Sequence, residues 1–214
     1  MFDHDQQRLR DMADTMLRRA RTLGASDAAV DVSENSGFSV NVRRGRIETI
    51  EQHRDKGIGV TVFVGKRRGH ASSSDFSLRS LEETVDAAWQ IARFTAEDDC
   101  AGLPDPDTLA MRYPELNLFH PWGIPVDEAV RLACEAENAA FSVSPLIRNS
   151  EGASVSVSHG QFVSANSLGF SGGYPYSRHS ISCAPIARKG RQMQRDDWYS
   201  SHCNPKKLDR KSTR

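Results

Sequence analysis

Apolar residues recur at three- and four-residue steps in three segments of the chain, which is the spacing of one helix face. This pattern predicts a first helix over Asp5 to Thr22, a second over Leu78 to about Thr95, and a third that begins after Pro125. For the second helix, Ser77 or Ser80 is a candidate N-cap, and the sequence SLEE that begins at Ser80 matches a capping box. The helices are therefore separated by long segments of a different character.

Between the first two helices, apolar and polar residues alternate over short segments, which predicts β-strands. The predicted strands are Ala28 to Val32, Phe38 to Val42, Ile47 to Ile50, Ile58 to Val64 and His70 to Ser74. The linking sequences ENSG, RRGR, RDKG and GKRRG each contain turn residues. Because short links join antiparallel neighbours, the sequence predicts a meander sheet with one face for the helices to cover.

This combination predicts an α+β fold, in which helices cover antiparallel meander sheets in two layers. We predict a first α+β domain at residues 1–96, a proline-rich ordered connector at 97–125, a central α+β domain at 126–199 and a basic, disordered tail at 200–214. In the connector, apolar residues such as Leu116 and Trp122 are expected to dock on a neighbouring segment. Since a helix followed by strands occurs twice, two related subdomains produced by duplication remain an alternative.

The glycine-rich sequence that begins at Lys56 was compared with two nucleotide-binding motifs. A P-loop requires four residues between two glycines and then Lys and Ser or Thr. Here five residues separate Gly59 from Gly65, and Arg67 occupies the place of the hydroxyl residue. The dinucleotide-binding spacing also fails, because Val62 occupies the place of the third glycine, three residues after Gly59. The segment is therefore predicted to be a strand, a hairpin turn and a returning strand.

The chain has no formal net charge at pH 7, so it has no general electrostatic attraction to polyanionic partners. Its 214 residues include 28 basic and 28 acidic side chains. This balance predicts no direct binding to nucleic acid and no attraction to a membrane surface.

The first residues are too polar for a signal peptide, and no apolar run approaches the roughly 18 residues of a membrane helix. Four widely spaced cysteines are expected to be reduced thiols, so the sequence predicts a cytoplasmic protein.

Candidate catalytic and metal-binding motifs are absent from the sequence. The seven histidines show no metal-ligand spacing, and no G-x-S-x-G elbow is present. The sequence therefore predicts no catalytic residue and no metal ligand. Ser72 and Ser74 alternate on a predicted strand, where their hydroxyls could bind an extended peptide or a partner. A solvated face of the sheet is the alternative explanation for these serines.

Several segments resemble the PmbA/TldD family, specifically its PmbA (TldE) branch of modulators of DNA gyrase. They are GIGVTVFVGKRRGHASSSDFS, TVDAAWQIARFTAEDDCAGLPD, PELNLFHPW, NSEGASVSVSHG, YSRHSISC and QMQRD. The similarity extends in order from the first helix to about Tyr199. Since a full-length member of this family continues with a large C-terminal domain, the resemblance implies an N-terminal fragment of such a protein.

The resemblance implies a subunit that pairs with a TldD-type protein to form a heterodimeric metalloprotease. Its implied roles are proteolysis of unfolded peptides, maturation of a peptide antibiotic and turnover of an antitoxin. The zinc ion is implied on the TldD-type partner, so this chain is expected to hold no cofactor and to be non-catalytic alone. A binding module that modulates DNA gyrase without proteolysis and a truncated non-functional product are the alternatives.

Overall fold

The computed structural model describes residues 2–209 and confirms the α+β class. These residues contain three α-helices and two short 3₁₀ helices. The helices are α1 (Gln6–Thr22), α2 (Leu78–Phe94) and α3 (Val126–Val143), with 3₁₀ turns at Pro106–Thr108 and Pro205–Lys207. The strands are β1 (Asp27–Arg43), β2 (Arg46–Val64), β3 (Arg67–Ser73), β4 (Ile147–Asn166), β5 (Ser171–Gly172), β6 (Pro175–Lys189), β7 (Gln192–Arg195) and β8 (Trp198–His202).

Side-chain caps fix where the first two helices begin. The Asp5 carboxylate accepts the Arg8 N–H at 2.7 Å, and the Ser77 hydroxyl accepts the Ser80 N–H at 3.3 Å. Each cap satisfies a backbone donor that has no partner within the helix. Ser77 is thus the N-cap of α2, and the capping box predicted at Ser80 is wrong. Ser80 lies inside the helix, where its Oγ is 2.9 Å from the Oγ of Ser73.

Two of the predicted turns are wrong. The sequences ENSG and RDKG lie inside β1 and β2, which are continuous strands of 17 and 19 residues. Gly37 has a packing role in β1 instead of a turning one, since a Cβ there would overlap the Val157 carbonyl oxygen and the His53 ring. Glycine inside a strand therefore marks a close approach here and not a chain reversal.

The other two predicted turns are present and are shorter than predicted. Arg44 and Gly45 join β1 to β2, with φ of 52° and 68° as a two-residue hairpin of type I′ requires. Gly65 and Lys66 join β2 to β3, and Gly65 has φ of 60°. The returning strand consequently begins at Arg67, three residues before the predicted start at His70.

The chain forms two compact units from interleaved segments. Unit 1 contains the chain up to Asn35 with Asp55–Leu116 and Gly160–Pro175, and unit 2 contains Ser36–Arg54, Asn117–His159 and the chain from Tyr176 onward. Hydrogen-bonded strands follow the order β3-β2-β1-β4-β6-β7, with β5 beside β4 and β8 beside β6. The continuous domains predicted from the sequence stay predictions.

In unit 1, α1 and α2 bury their apolar stripes against strand residues. The buried cluster includes Leu9, Met16, Val30, Val60 and Val85. Arg19 of α1 and Asp86 of α2 also form a two-point pair, with both N–O distances at 2.7 Å. Burial of these apolar side chains supplies the main stabilisation of the unit, because each contributes about 1.5–3 kcal/mol when removed from water.

In unit 2, α3 buries a face of mostly small residues. Ala129, Leu132, Ala133, Ala136 and Ala140 are buried, and they share a cluster with Val40, Val155 and Ile181. Alanine side chains allow the helix backbone to approach the strands closely. The same apolar face carries Glu137, which is fully buried and which the sequence analysis did not single out.

The connector and the tail differ from their predictions. Leu116 is 45 % exposed and does not dock as predicted, whereas Trp122 packs against the core of unit 2. The tail was predicted to be disordered, and this is wrong for residues 200–209. β8 extends to His202, and Leu208 is only 6 % exposed because it packs into the same core. Residues 210–214, which include the last basic side chains of the predicted tail, lie outside the described residues.

We expect Gly69→Ala to lower the free energy of unfolding by about 2–3 kcal/mol, because its new Cβ would overlap the Ala88 carbonyl oxygen and the Ala92 nitrogen of α2. Gly102→Ala is the matched control, since no atom lies within 4 Å of its Cβ position. Urea unfolding measures both variants, and equal losses would contradict the close contact between α2 and β3.

Candidate functional site

Ser72 and Ser74 lie at the end of strand β3. Ser72 is paired with Gly59 of β2 and is exposed, and Ser74 follows the strand and is also exposed. The intervening Ser73 is partly buried and contacts Ser80 of α2. The alternation predicted for the three serines is therefore present, and the role of the two exposed hydroxyls in binding stays a prediction.

Strand β3 is the terminal strand of the sheet order among residues 2–209. Its seven residues pair with β2 from Ile58 to Val64 on one side. The other backbone edge therefore offers N–H and C=O groups that no strand of the described chain satisfies. Because α2 packs on β3 at Gly69, the edge belongs to a supported strand and suits the addition of an extended chain.

Folding brings three histidines and a tryptophan together in unit 2. The rings of His159 and His179 lie 5.4 Å apart between centroids, and the Trp122 ring lies 5.5 Å from His179 in an edge-on arrangement. The His120 carbonyl oxygen is 2.9 Å from His179 Nε2, and the Trp122 backbone N–H donates to His159 Nε2 at 3.2 Å. These bonds place the ring protons at Nε2 of His179 and Nδ1 of His159.

Burial keeps this pair of imidazoles neutral. His179 is fully buried, and its Nδ1 has no hydrogen-bond partner among the described residues. Desolvation lowers the pKa of His179, and desolvation together with the nearby His179 ring lowers the pKa of His159 to about 4. The two rings consequently pack as neutral aromatic groups at pH 7.

A second polar feature of unit 2 is a cavity of about 670 Å³. Its serine hydroxyls come from Ser39, Ser154, Ser180, Ser182 and Ser201. Ser154 and Ser182 lie 2.8 Å apart between their Oγ atoms, and the buried Oγ of Ser201 has no hydrogen-bond partner among residues 2–209. Arg195 and Glu151 pair at 2.6 Å at the same cavity. Such a surface can donate and accept hydrogen bonds to a bound molecule.

His, Cys, Asp and Glu are the side chains that most often bind metal ions in proteins. In the part of the chain from residue 2 to 209, no group of three or more of them is placed to hold a metal ion. The four cysteines are free thiols, and desolvation raises the pKa of the buried Cys183 to about 11. Cys183 is therefore protonated and a poor nucleophile at neutral pH.

None of the helices formed by residues 2–209 combines the length and the apolar character that crossing a membrane requires.

Glu137 organises the backbone at the tip of the β1-β2 hairpin. Its two carboxylate oxygens accept the N–H groups of Arg44 and Gly45, each at 2.8 Å, and one of them also accepts the Ser150 hydroxyl. A carboxylate that accepts three hydrogen bonds compensates for its own burial. The positive φ angles of the turn are thus held in place by a side chain of α3.

Sequence reasoning missed both Glu137 and the histidine cluster. Glu137 lies four residues after Ala133 on the apolar face of α3, so a carboxylate at an apolar position was the available signal. The three histidines are separated by 39 and 20 residues and match no motif, so only folding brings them together.

Two family models match the chain. The model described as PmbA/TldA metallopeptidase domain 1 matches residues 28–92, and the model described as the PmbA/TldA metallopeptidase central domain matches residues 119–213. The second match continues beyond Tyr199, where the sequence analysis expected the similarity to end.

Curated relatives point to the same family. Metalloprotease PmbA of Escherichia coli O157:H7 is 40 % identical over 207 residues, which cover 89 % of this chain and 46 % of the relative. A metalloprotease PmbA homolog of Haemophilus influenzae is 36 % identical over 220 residues, covering 96 % of this chain and 49 % of that protein. The chain therefore spans about half the length of the curated relatives it matches.

Two solved structures show the same fold. A proposed modulator of DNA gyrase from Bacteroides thetaiotaomicron superposes with a TM-score of 0.86 at 21 % identity, over 95 % of this chain and 47 % of that one. TldE from Thermococcus kodakarensis gives a TM-score of 0.78 at 15 % identity, over 94 % of this chain and 45 % of that one. At these identities the likeness establishes the fold alone.

We expect Glu137→Gln to lower the free energy of unfolding by about 1–3 kcal/mol, because the amide nitrogen of glutamine cannot accept one of the buried hydrogen bonds. Glu135→Gln on the same helix is the control, since its exposed pair with Arg131 contributes at most about 1 kcal/mol. Thermal and urea unfolding compare the two, and a Glu137→Gln variant as stable as Glu135→Gln would contradict the role of the carboxylate at the turn.

The lowered pKa of His159 predicts a loss of stability in acid. His159 has a pKa near 6.5 in the unfolded chain and about 4 in the folded chain, so the unfolded chain takes up a proton first as the pH falls. The free energy of unfolding therefore decreases as the pH drops from 6.5 toward 4. Allowing for partial exposure, we expect this residue to account for about 1–2 kcal/mol of that loss.

His159→Gln, which keeps an acceptor for the Trp122 N–H, should reduce the dependence of urea midpoints on pH between 4 and 6.5. The exposed His70→Gln is the control. An unchanged pH profile in His159→Gln would contradict a neutral, partly buried His159.

Proposed function

This chain belongs to the PmbA/TldD metallopeptidase family, and from that premise we propose that it acts as the TldE-type subunit of a heterodimeric peptidase completed by a TldD-type partner. In this proposal the chain helps to hold the partner and presents an extended, unfolded peptide to it. The names of its relatives support the peptidase class. The presence of four free cysteines supports a reducing compartment, and we place the complex in the cytoplasm.

The observation that carries the peptide-binding role is the exposed edge of β3. An extended peptide that pairs with this edge would gain backbone hydrogen bonds, which depend little on its sequence. This property suits the recognition of unfolded chains, whose side chains vary. Ser72 and Ser74, exposed at the same end of the strand, would then lie beside the peptide and offer hydroxyls to it.

The family implies a zinc ion for the complete peptidase. The residues described here do not fit a zinc site, because no three ligand-type side chains come together among residues 2–209. We therefore assign the metal to the TldD-type partner and give this chain the tasks of binding and positioning.

Replacing both Ser72 and Ser74 by lysine should slow cleavage of an unfolded peptide by the full complex about tenfold, because two bulky cations would obstruct the edge of β3 and two hydroxyls would be lost. The measurement is the initial rate of cleavage of a neutral, unstructured peptide at subsaturating concentration. Ser142→Lys on the exposed end of α3 is the control.

Light scattering after gel filtration should first show that the variant and the parent form the same one-to-one complex with the partner. An unchanged cleavage rate in a complex of normal mass would remove the β3 edge from the mechanism. Failure of the parent chain to form any complex would contradict the subunit proposal for this part of the protein.

A further inference from the structure

A second cavity of unit 2, of about 530 Å³, carries a concentrated positive charge. We call it the basic cavity, and its charged lining consists of Arg44, Arg148, Arg188 and Lys189. Among residues 2–209, no acidic residue lines it, although acidic and basic residues are equally numerous in the whole chain. Charges of one sign around a concave surface reinforce one another and attract anions. The basic cavity is therefore a local departure from a neutral protein.

The three arginines of the basic cavity are anchored by backbone carbonyl oxygens. Arg44 Nη2 donates to the Arg148 carbonyl at 3.3 Å, and Arg148 Nε donates to the Pro145 carbonyl at 3.1 Å. Arg188 Nε donates to the Gly190 carbonyl at 3.1 Å. Each guanidinium has five N–H donors, so most remain for a ligand. None of the three pairs with a carboxylate within the described chain.

The remaining lining of the basic cavity is mostly apolar, although it includes the polar Asn149, and part of it comes from an exposed strand. Leu146, Ile186 and Met193 line it, and Met193 is 65 % exposed. Met193 belongs to β7, where it pairs with Arg188 of β6. β7 is the last strand of the sheet order in residues 2–209, so its outer backbone edge has no strand beside it there. A charged pocket thus lies beside a strand edge that an extended chain can join.

We propose that the basic cavity binds an acidic, extended segment of a peptide, with carboxylates on the arginines and an apolar side chain against Leu146, Ile186 and Met193. Guanidinium groups bind carboxylates in a planar, two-point geometry, and the volume falls within the usual range for ligand pockets. The apolar wall favours a segment in which acidic and apolar residues alternate. This inference rests on the proposed peptide-binding function and names the substrate class that it would prefer.

The test is fluorescence anisotropy with the 214-residue chain and a labelled peptide of alternating glutamate and valine. We expect the glutamate peptide to bind about tenfold more tightly than the same peptide with glutamine in place of glutamate. This difference in affinity should shrink in about 0.5 M salt, which screens the charges. Equal affinity of the two peptides would overturn the proposal. Binding of inorganic phosphate at the basic cavity without any preference for the acidic peptide would overturn it too, in favour of a site for small anions.

Charge-matched variants locate the binding. The double variant Arg148→Ser with Arg188→Ser should lose most of the preference for the acidic peptide, while Arg8→Ser with Arg112→Ser, which removes two charges outside the basic cavity, should keep it. Lys189 pairs with Gln192 through the β6–β7 backbone, and its exposed side chain has no hydrogen-bond partner among residues 2–209. Lys189→Gln therefore does not endanger folding and should lower affinity several-fold.

Equal loss in the control pair would overturn the proposal by showing a general charge effect. Cleavage of the neutral peptide by the full complex of the parent chain is measured in parallel, because in the proposed function it depends on β3 and not on the basic cavity. If the chain shows no preference for the acidic peptide while the full complex still cleaves the neutral peptide, the proposal for the basic cavity is rejected. The proposed function would not be affected by that result.

Discussion

The buried carboxylate of Glu137 is the interaction on which the arrangement of unit 2 depends. It accepts two backbone N–H groups from the Arg44-Gly45 turn and the hydroxyl of Ser150. A charge without these donors would be too costly to bury on the apolar face of α3, and the turn without the carboxylate would leave two N–H groups unsatisfied. The helix, the hairpin tip and the beginning of β4 are therefore fixed together by one side chain, and Arg44 reaches the basic cavity from this fixed backbone.

Close backbone approach is the second constraint. Gly69 lets α2 lie directly on β3, and Gly37 lets β1 approach Val157. At both positions a side chain would occupy space already filled by backbone atoms, and protein interiors have little free volume to absorb it. The edge strand β3 is thus supported by a helix, which limits its flexibility and suits it to bind an extended chain.

The polar features of the described chain are suited to binding more than to bond cleavage. The His159 and His179 rings are neutral because desolvation lowers the pKa of each, and the thiol of Cys183 is held protonated by desolvation. By contrast, the β3 edge, the serine-lined cavity and the basic cavity are open to solvent and rich in hydrogen-bond donors. This distribution supports the proposed role in peptide binding.

The sequence by itself determined those helices and strand segments that depend on the pattern of neighbouring residues along the chain. Apolar periodicity predicted the three helices, and alternation predicted parts of β1, β2 and β3 and the outward direction of Ser72 and Ser74, because both patterns depend on neighbours along the chain. The tertiary structure alone decided whether glycine turned the chain or only made room, as at Gly37, and whether the polar tail was ordered, since Leu208 finds its core through distant residues. It also decided the partners of Glu137 and the meeting of His159 with His179, because these contacts join segments that no short sequence pattern relates.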